Sequence, residues 1–261
     1  MAAIVAALLS AVATPALAST AEAGLADFQI RLVDLDPADG ILPSVVFQEL
    51  EGGAFVAAET GTPPGVVTDA LFAGLVFGPA VATSAQGTAA AYAALSGDAF
   101  GAGASATASA SAKRAGDSGA STVQLGDGGI VVPFTLSAHT RLVITADASA
   151  SAMSTFDDLH ADTWASVFLK LTDGTGQGDA VSDGVSAEQA STLGAPPSAT
   201  TDAHRIEISF ENLAAGAADG LFFGSIDAYS ADPAPVPEPA GFATALAALG
   251  ALAWRLRRRA R

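Results

Sequence analysis

The feature that most constrains this chain is the run from Thr122 to Leu171, where short β-branched stretches alternate with turn residues every eight to twelve positions. Thr122 to Leu125, Ile130 to Leu136, Arg141 to Ala148 and Trp164 to Leu171 each read as strands. Gly126-Asp127-Gly128-Gly129 and Ser137-Ala138-His139 separate the first three as turns. Side chains of a strand point alternately to opposite faces, so a half-buried strand has period two and a helix cannot share its pattern. Many short strands with regular turn signals are the mark of an antiparallel sandwich.

The rest of the body extends the pattern. Phe28, Ile30 and Leu32 alternate with Gln29 and Arg31 up to Leu35. Pro37-Ala38-Asp39-Gly40 is a turn and Val45-Val46-Phe47 a second strand, which predicts a hairpin-like opening. Ala54 to Ala58 is a short apolar piece, and Val66 to Phe77 leans to strand on its β-branched and aromatic content. Within Ala80 to Ala112, the residues Ser105, Thr107, Ser109 and Ser111 alternate with Ala104 through Ala112, which predicts a long strand with one small-residue face. A low-complexity linker is the other reading of that composition. Thr172 to Thr201 is glycine-rich, holds Pro196-Pro197 and shows no apolar period, so it reads as a long exposed loop. His204 to Phe210 and Leu221 to Tyr229 close the body. The expected fold is all-β, an antiparallel β-sandwich of jelly-roll or Greek-key type with about nine to eleven strands, flanked by an N-terminal signal helix and one C-terminal transmembrane helix.

Both ends carry signals of their own. Met1 to Val12 is apolar apart from Ser10, and Thr14-Pro15-Ala16-Leu17-Ala18 supplies a small-x-small site before Ser19. Residues 1–18 therefore read as a secretory signal peptide cleaved between Ala18 and Ser19, with Ala21-Glu22-Ala23 before Gly24 as a second legal site, although no lysine or arginine stands near Met1. At the other end, Pro233, Pro235, Pro237 and Pro239 make residues 233–239 an extended stalk. Residues 240–256 follow as a membrane helix; its core, Ala240 to Trp254, holds fifteen residues without a charge, and spans about 22 Å at 1.5 Å per residue. Arg255, Arg257, Arg258, Arg259 and Arg261 then act as a membrane stop, and basic residues stay on the cytoplasmic side, leaving 257–261 as a cytoplasmic tail and the body outside.

Val236-Pro237-Glu238-Pro239, a small-residue apolar helix and an arginine-rich end, in that order, resemble the PEP-CTERM sorting signal of Gram-negative bacteria. The resemblance covers about the last 27 residues. It implies export, transient anchoring in the inner membrane, recognition and cleavage near the Pro-Glu-Pro element by an exosortase-type membrane protease, and a destination at the cell surface or beyond. It implies no activity for the body.

The body, residues 19–232, has few candidates for chemistry. There is no cysteine, which excludes disulfides and thiolate-bound metal. Ser19 to Pro239 holds all 27 acidic residues against six basic ones, a formal charge of −21. Such a surface repels nucleic acid and anionic lipid and attracts cations. Gly116-Asp117-Ser118-Gly119 resembles the nucleophile loop of chymotrypsin-like proteases, but Ala120-Ser121 replaces its continuation and all three histidines lie after Ser118, so it reads as a turn. Asp34, Asp36 and Asp39 crowd one turn as calcium loops do, yet Ala38 and Val45 stand where an EF-hand needs acids. A solvated acidic turn is the simpler reading, and no cofactor is expected. The acids around His160 (Asp157, Asp158, Asp162) and the loop Asp173 to Asp183 are of the same kind.

For sugars, rings that stack on apolar pyranose faces are needed, and Trp164, Tyr92 and Tyr229 are the candidates. Alternation puts Trp164 on one face with Phe168 and Lys170; that face is either solvent or core. Three functions remain. The favoured one is an exported, non-catalytic surface or matrix protein, for which the PEP-CTERM resemblance implies association with extracellular polysaccharide or biofilm material. A carbohydrate-binding jelly roll would show Trp164 or Tyr229 beside carboxylates in a groove. A hydrolase would need two carboxylates facing each other across a cleft, about 5 to 10 Å apart, one with a raised pKa.

Overall fold

The computed structural model describes residues 19–48, 54–61, 67–76, 79–97, 103–112, 116–125, 131–154, 162–174, 180–190 and 196–231, with the backbone alone at 54 and 67–76. The described residues form fourteen strands and no helix. One sheet has six strands, in the order β13 (Ser198–Asn212), β10 (Thr140–Ser154), β1 (Ser19–Asp34), β7 (Ala104–Ala112), β6 (Ala89–Ser96) and β5 (Ala80–Gln86). The other has eight. Its main path runs β12 (Val181–Ala190), β11 (Asp162–Asp173), β14 (Ala218–Ala231), β8 (Ser118–Leu125), β3 (Ala54–Gly61), β4 (Val67–Val76); β9 (Val132–Leu136) pairs with the first half of β14, and β2 (Val45–Phe47) with β9. Every pairing is antiparallel, and β1, β7 and β10 pack face to face on β14, β8 and β11. The body is an antiparallel β-sandwich.

Side-chain size divides the sandwich lengthwise. At one end the sheets are held apart by Phe28, Phe134, Phe222, Leu136, Leu142, Ile144, Leu169 and Ile208, all at most 1% exposed. Burying each contributes about 1.5–3 kcal/mol. Phe134 packs edge-on against Phe210 and lies so close over Gly220 that a Cβ there would sit 2.2 Å from the ring. At the other end the facing residues are alanines: Ala21 and Ala23 of β1, Ala106, Ala108 and Ala110 of β7, Ala91 and Ala93 of β6. With only methyl groups between them, the sheets close up. The Ser121 hydroxyl of β8 donates to the Ser109 carbonyl of β7 at 2.9 Å, Thr60 of β3 bonds Ser84 of β5 at 2.8 Å, and Ser230 of β14 donates to the Ser19 carbonyl at 3.1 Å. A serine hydroxyl that reaches the opposite backbone limits the separation there to below about 8 Å, against the usual ~10 Å. The sandwich is wedge-shaped, with a pinched waist.

A β-bulge in β1 marks the change between the two ends. Its register against β10 shifts between Ala26 and Gln29, with Asp27 at φ 50°. Two successive residues, Ala26 and Asp27, face outward, and Phe28 then points back into the core. Outside, Arg205 clamps the bulge by donating to Asp27 at 3.2 Å and to Asp147 at 2.9 Å.

Two expectations are corrected and one is extended. The first strands do not form a hairpin: β2 pairs with β9, while β1 lies between β10 and β7. The strand expected over Ala104 to Ala112 is β7, and the alanine-rich segment before it holds two more, β5 and β6, because Gly87 and Gly97, both at positive φ, turn it back twice. The long loop at 172–201 contains β12 and the start of β13. β12 is an edge strand that buries only Val185 and Ala187, so it lacks an apolar period; Gly184 presses so near β11 that a Cβ would meet the Val167 carbonyl at 2.4 Å. Acids close the seam between edge strands β12 and β13. Asp183 accepts from the backbone of Gly184 at 2.9 Å and of Glu207 at 3.1 Å, and Asp202 from that of Ser186 at 3.3 Å.

Candidate functional site

Register on the outer face of the larger sheet builds a cleft. Reading across β12, β11, β14, β8 and β3, one row consists of Glu188, Trp164, Tyr229, Ala120 and Glu59. The next consists of Ser186, Ser166, Asp227, Thr122 and Ala57. Trp164 and Tyr229 stack with centroids 5.9 Å apart and planes 27° from parallel. Cross-strand neighbours can stack in this way only if the rings stand up from the sheet and face along the row. The far face of Tyr229 therefore looks over Ala120, whose methyl leaves a gap closed on the other side by Glu59. Two strand spacings, about 10 Å, separate the Tyr229 and Glu59 backbones. The cleft has a volume of about 290 Å³, lined also by Phe55, Ala57, Thr122 and Asp227.

Its polar groups are set by burial. The Asp227 carboxyl is pushed above the ordinary aspartate value by desolvation, which outweighs hydrogen bonds from Thr122 (2.5 Å) and Ser225. Burial and the negative charge of Asp162 push the Tyr229 hydroxyl upward as well. Trp164 is 37% exposed, so the face with Phe168 and Lys170 points outward. The arrangement offers a flat apolar wall next to hydroxyl and carboxylate acceptors, suited to the alternating apolar faces and hydroxyl rims of a pyranose.

The acidic turn at the wide end is occupied by its own bonds. Asp34 accepts from the Asp36 amide at 3.0 Å, Asp36 from that of Ala38 at 3.2 Å and Asp39 from that of Ile41 at 2.7 Å. His139, at φ 46°, places Nδ1 2.6 Å from Asp39 and 4.0 Å from Asp36. The Ile41 amide, and then His139, hold the Asp39 carboxyl below the usual range. Ligand atoms of Asp36, Asp39 and His139 lie within 4.8 Å of one another, and Asp34 is not in that group. Two carboxylates with an imidazole are a poor match to calcium, which takes six to eight oxygens. The cluster works as a strap between the 36–41 turn and the turn before β10.

Gly116-Asp117-Ser118 enters β8, and Ser118 donates to the Gly61 carbonyl at 3.4 Å. Ser19 starts β1, fully buried. Ala18, the sorting residues Val236, Pro237, Glu238 and Pro239, the arginines from Arg255 to Arg261, and Asp157, Asp158 and His160 lie outside the described residues, as do the signal and membrane helices.

Fold and cleft together define an all-β sandwich with an aromatic, acid-rimmed groove on one outer face. No protein-family model, curated protein or solved structure matches the chain.

Proposed function

We propose that this chain is an exported, non-catalytic surface or matrix protein whose body is a carbohydrate-binding sandwich of jelly-roll or Greek-key type, holding an extracellular polysaccharide in the Tyr229 cleft. The observation that carries this reading is the stacked Trp164–Tyr229 pair standing over the gap at Ala120, with Glu59 opposite and Asp227 alongside. Trp164 buttresses Tyr229, so a sugar stacks on an immobilised ring at little entropic cost. A cleft with two acids suits neutral or amino sugars and disfavours uronates. Supporting the destination are the signal-like residues 1–18, the Val236-Pro237-Glu238-Pro239 element and the terminal arginines. An exosortase-type protease and, transiently, the inner membrane are the partners they imply.

Two experiments test this. Affinity electrophoresis in hydroxyethyl cellulose, dextran, soluble chitosan and alginate should show retardation by at least one of the first three, abolished or weakened by Tyr229→Ala and kept by Tyr229→Phe. No retardation in any of them refutes the binding reading. Intact mass of protein from envelope and medium should give a species beginning at Ser19 or Gly24 and ending near Pro239; full-length protein confined to the cytoplasm refutes export. One observation favours the hydrolase alternative, namely the raised Asp227 carboxyl sharing a cleft with Glu59. Release of reducing ends that stops in Asp227→Asn would establish it in place of the non-catalytic reading.

A further inference from the structure

The six-stranded sheet has a groove of its own at the same level of the sandwich. Across β6, β7, β1, β10 and β13 one outward row reads Tyr92, Ser109, Glu22, Ser151 and Thr201, and the next reads Ala94, Thr107, Gly24, Ser149 and Ala203. Tyr92 stands at one end, 41% exposed, and the floor is hydroxyls, methyls and a glycine. Gly24 has no side chain to raise that floor; a Cβ there would already press on Ser149 Oγ at 3.2 Å. The cavity measures about 440 Å³. Five strands at ~4.8 Å spacing make the row about 19 Å long, enough for several pyranose rings laid across the strands.

The two grooves are joined back to back. Ser121, beside Ala120 in the first cleft, donates to the carbonyl of Ser109, which lines the second. Both follow from the pinched waist: small inner residues draw the sheets together, and small outer residues leave no bulk above them. Because the grooves are on the outward faces of opposite sheets, a ligand in one is turned away from a ligand in the other.

We propose that the Tyr92 groove is a second glycan site, and that the body is a two-faced binder that cross-links neutral or amino polysaccharide chains. This rests on the reading of the Tyr229 cleft as a glycan site. A ring platform at one end, a row of hydroxyl donors and Glu22 as acceptor match a polyhydroxyl chain, while the acidic surface excludes polyanions. A single sandwich then ties two chains across its own thickness with no need to dimerise, and each bound chain raises the local concentration at the other face.

The test uses the body, residues 19–232, within the full chain, and whichever of hydroxyethyl cellulose, dextran or soluble chitosan retards it. Wild type should raise low-shear viscosity of that polymer or precipitate it, and calorimetry with its short oligosaccharide should give two ligands per chain. Tyr229→Ala and Tyr92→Ala should each leave one ligand per chain, weaken overall retention about tenfold, and bring viscosity to that of polymer alone. Ser149→Arg, which fills the second floor from an exposed position, should reproduce Tyr92→Ala; unchanged thermal melting excludes misfolding as the cause. One ligand per chain in wild type, with Tyr92→Ala and Ser149→Arg silent, overturns the second site and leaves the first intact. Absence of retardation by all three polymers overturns both.

Discussion

The waist can be tested with one methyl group. Gly119 of β8 faces inward, and a Cβ there would lie 2.7 Å from the Ala90 carbonyl oxygen and 3.2 Å from that of Ser111. Both are backbone atoms of the opposite sheet, in the β6–β7 ladder, so neither can swing aside as a side chain would. Restoring an ordinary carbon–oxygen contact requires the sheets to part by about 0.5 Å, and overpacking of this kind costs about 1–3 kcal/mol. The same movement stretches the Ser121–Ser109 bond from 2.9 Å past its useful range, adding about 1 kcal/mol. Replacing glycine also lowers unfolded-chain entropy, which returns about 0.4–1 kcal/mol. The net expectation for Gly119→Ala is a loss of about 2 kcal/mol, or about 4–8 °C in Tm for a body of this size. Gly216, with nothing within 4 Å of its Cβ position and no positive φ, is the matched control; Gly216→Ala should be neutral or stabilising by up to about 1 kcal/mol. Guanidinium unfolding of the three proteins decides the matter. Gly119→Ala as stable as Gly216→Ala would mean that the sheets are not in close apposition, and the pinched waist, with the back-to-back grooves derived from it, would be wrong.

Other outcomes follow from single residues. Asn212 is 3% exposed, donates to the carbonyls of Ser137 (2.9 Å) and Gly216 (2.8 Å) and accepts from the Ala214 amide (3.0 Å); Asn212→Ala should cost about 2–4 kcal/mol, and Asn212→Asp, which sets a carboxylate against carbonyls, should cost more in the same melts. Asp227 has its pKa raised by burial, so its contribution to stability is complete at low pH and lost as pH rises from the unfolded value of about 3.9 through the folded one; the advantage of Asp227→Asn over wild type should grow between pH 4 and pH 7, and a constant difference refutes it. Asp183 is the opposite case: burial raises its pKa, but the amides of Glu207 and Gly184 and then His204 outweigh that and lower it. Its contribution is present above about pH 3.9 and is lost as pH falls through the folded value; wild type should lose its margin over Asp183→Asn as pH falls from 5 to 2.

What could be read from the sequence, and what could not, follows from which strands bury large side chains. Val132 to Leu136, Arg141 to Ala148 and Trp164 to Leu171 alternate strongly because one face fills the wide end, and they lie in strands β9, β10 and β11 of the fold. β5 and β6 bury almost nothing but alanine and β12 only Val185 and Ala187, so their hydrophobic signal is no stronger than that of a loop. The cue the sequence does hold is the pair of turn glycines, Gly87 and Gly97. Trp164 and Tyr229 are individually legible as sugar-stacking candidates, but their stacking depends on β11 pairing with β14 at one particular register, 65 residues apart in the chain. Nor does local sequence put His139 on Asp39, a contact between turns made only when β1 and β10 align.

The seam between β12 and β13 has a consequence for life at high density. A row of unspent backbone donors on a sheet edge is a template on which a second copy can add a strand. Here the amides of Gly184, Ser186 and Glu207 are already committed to Asp183 and Asp202. The carboxylates that consume them also charge the rim, so an approaching edge would meet repulsion rather than partners. The β12–β13 seam is thereby guarded against the addition of a strand from a second copy.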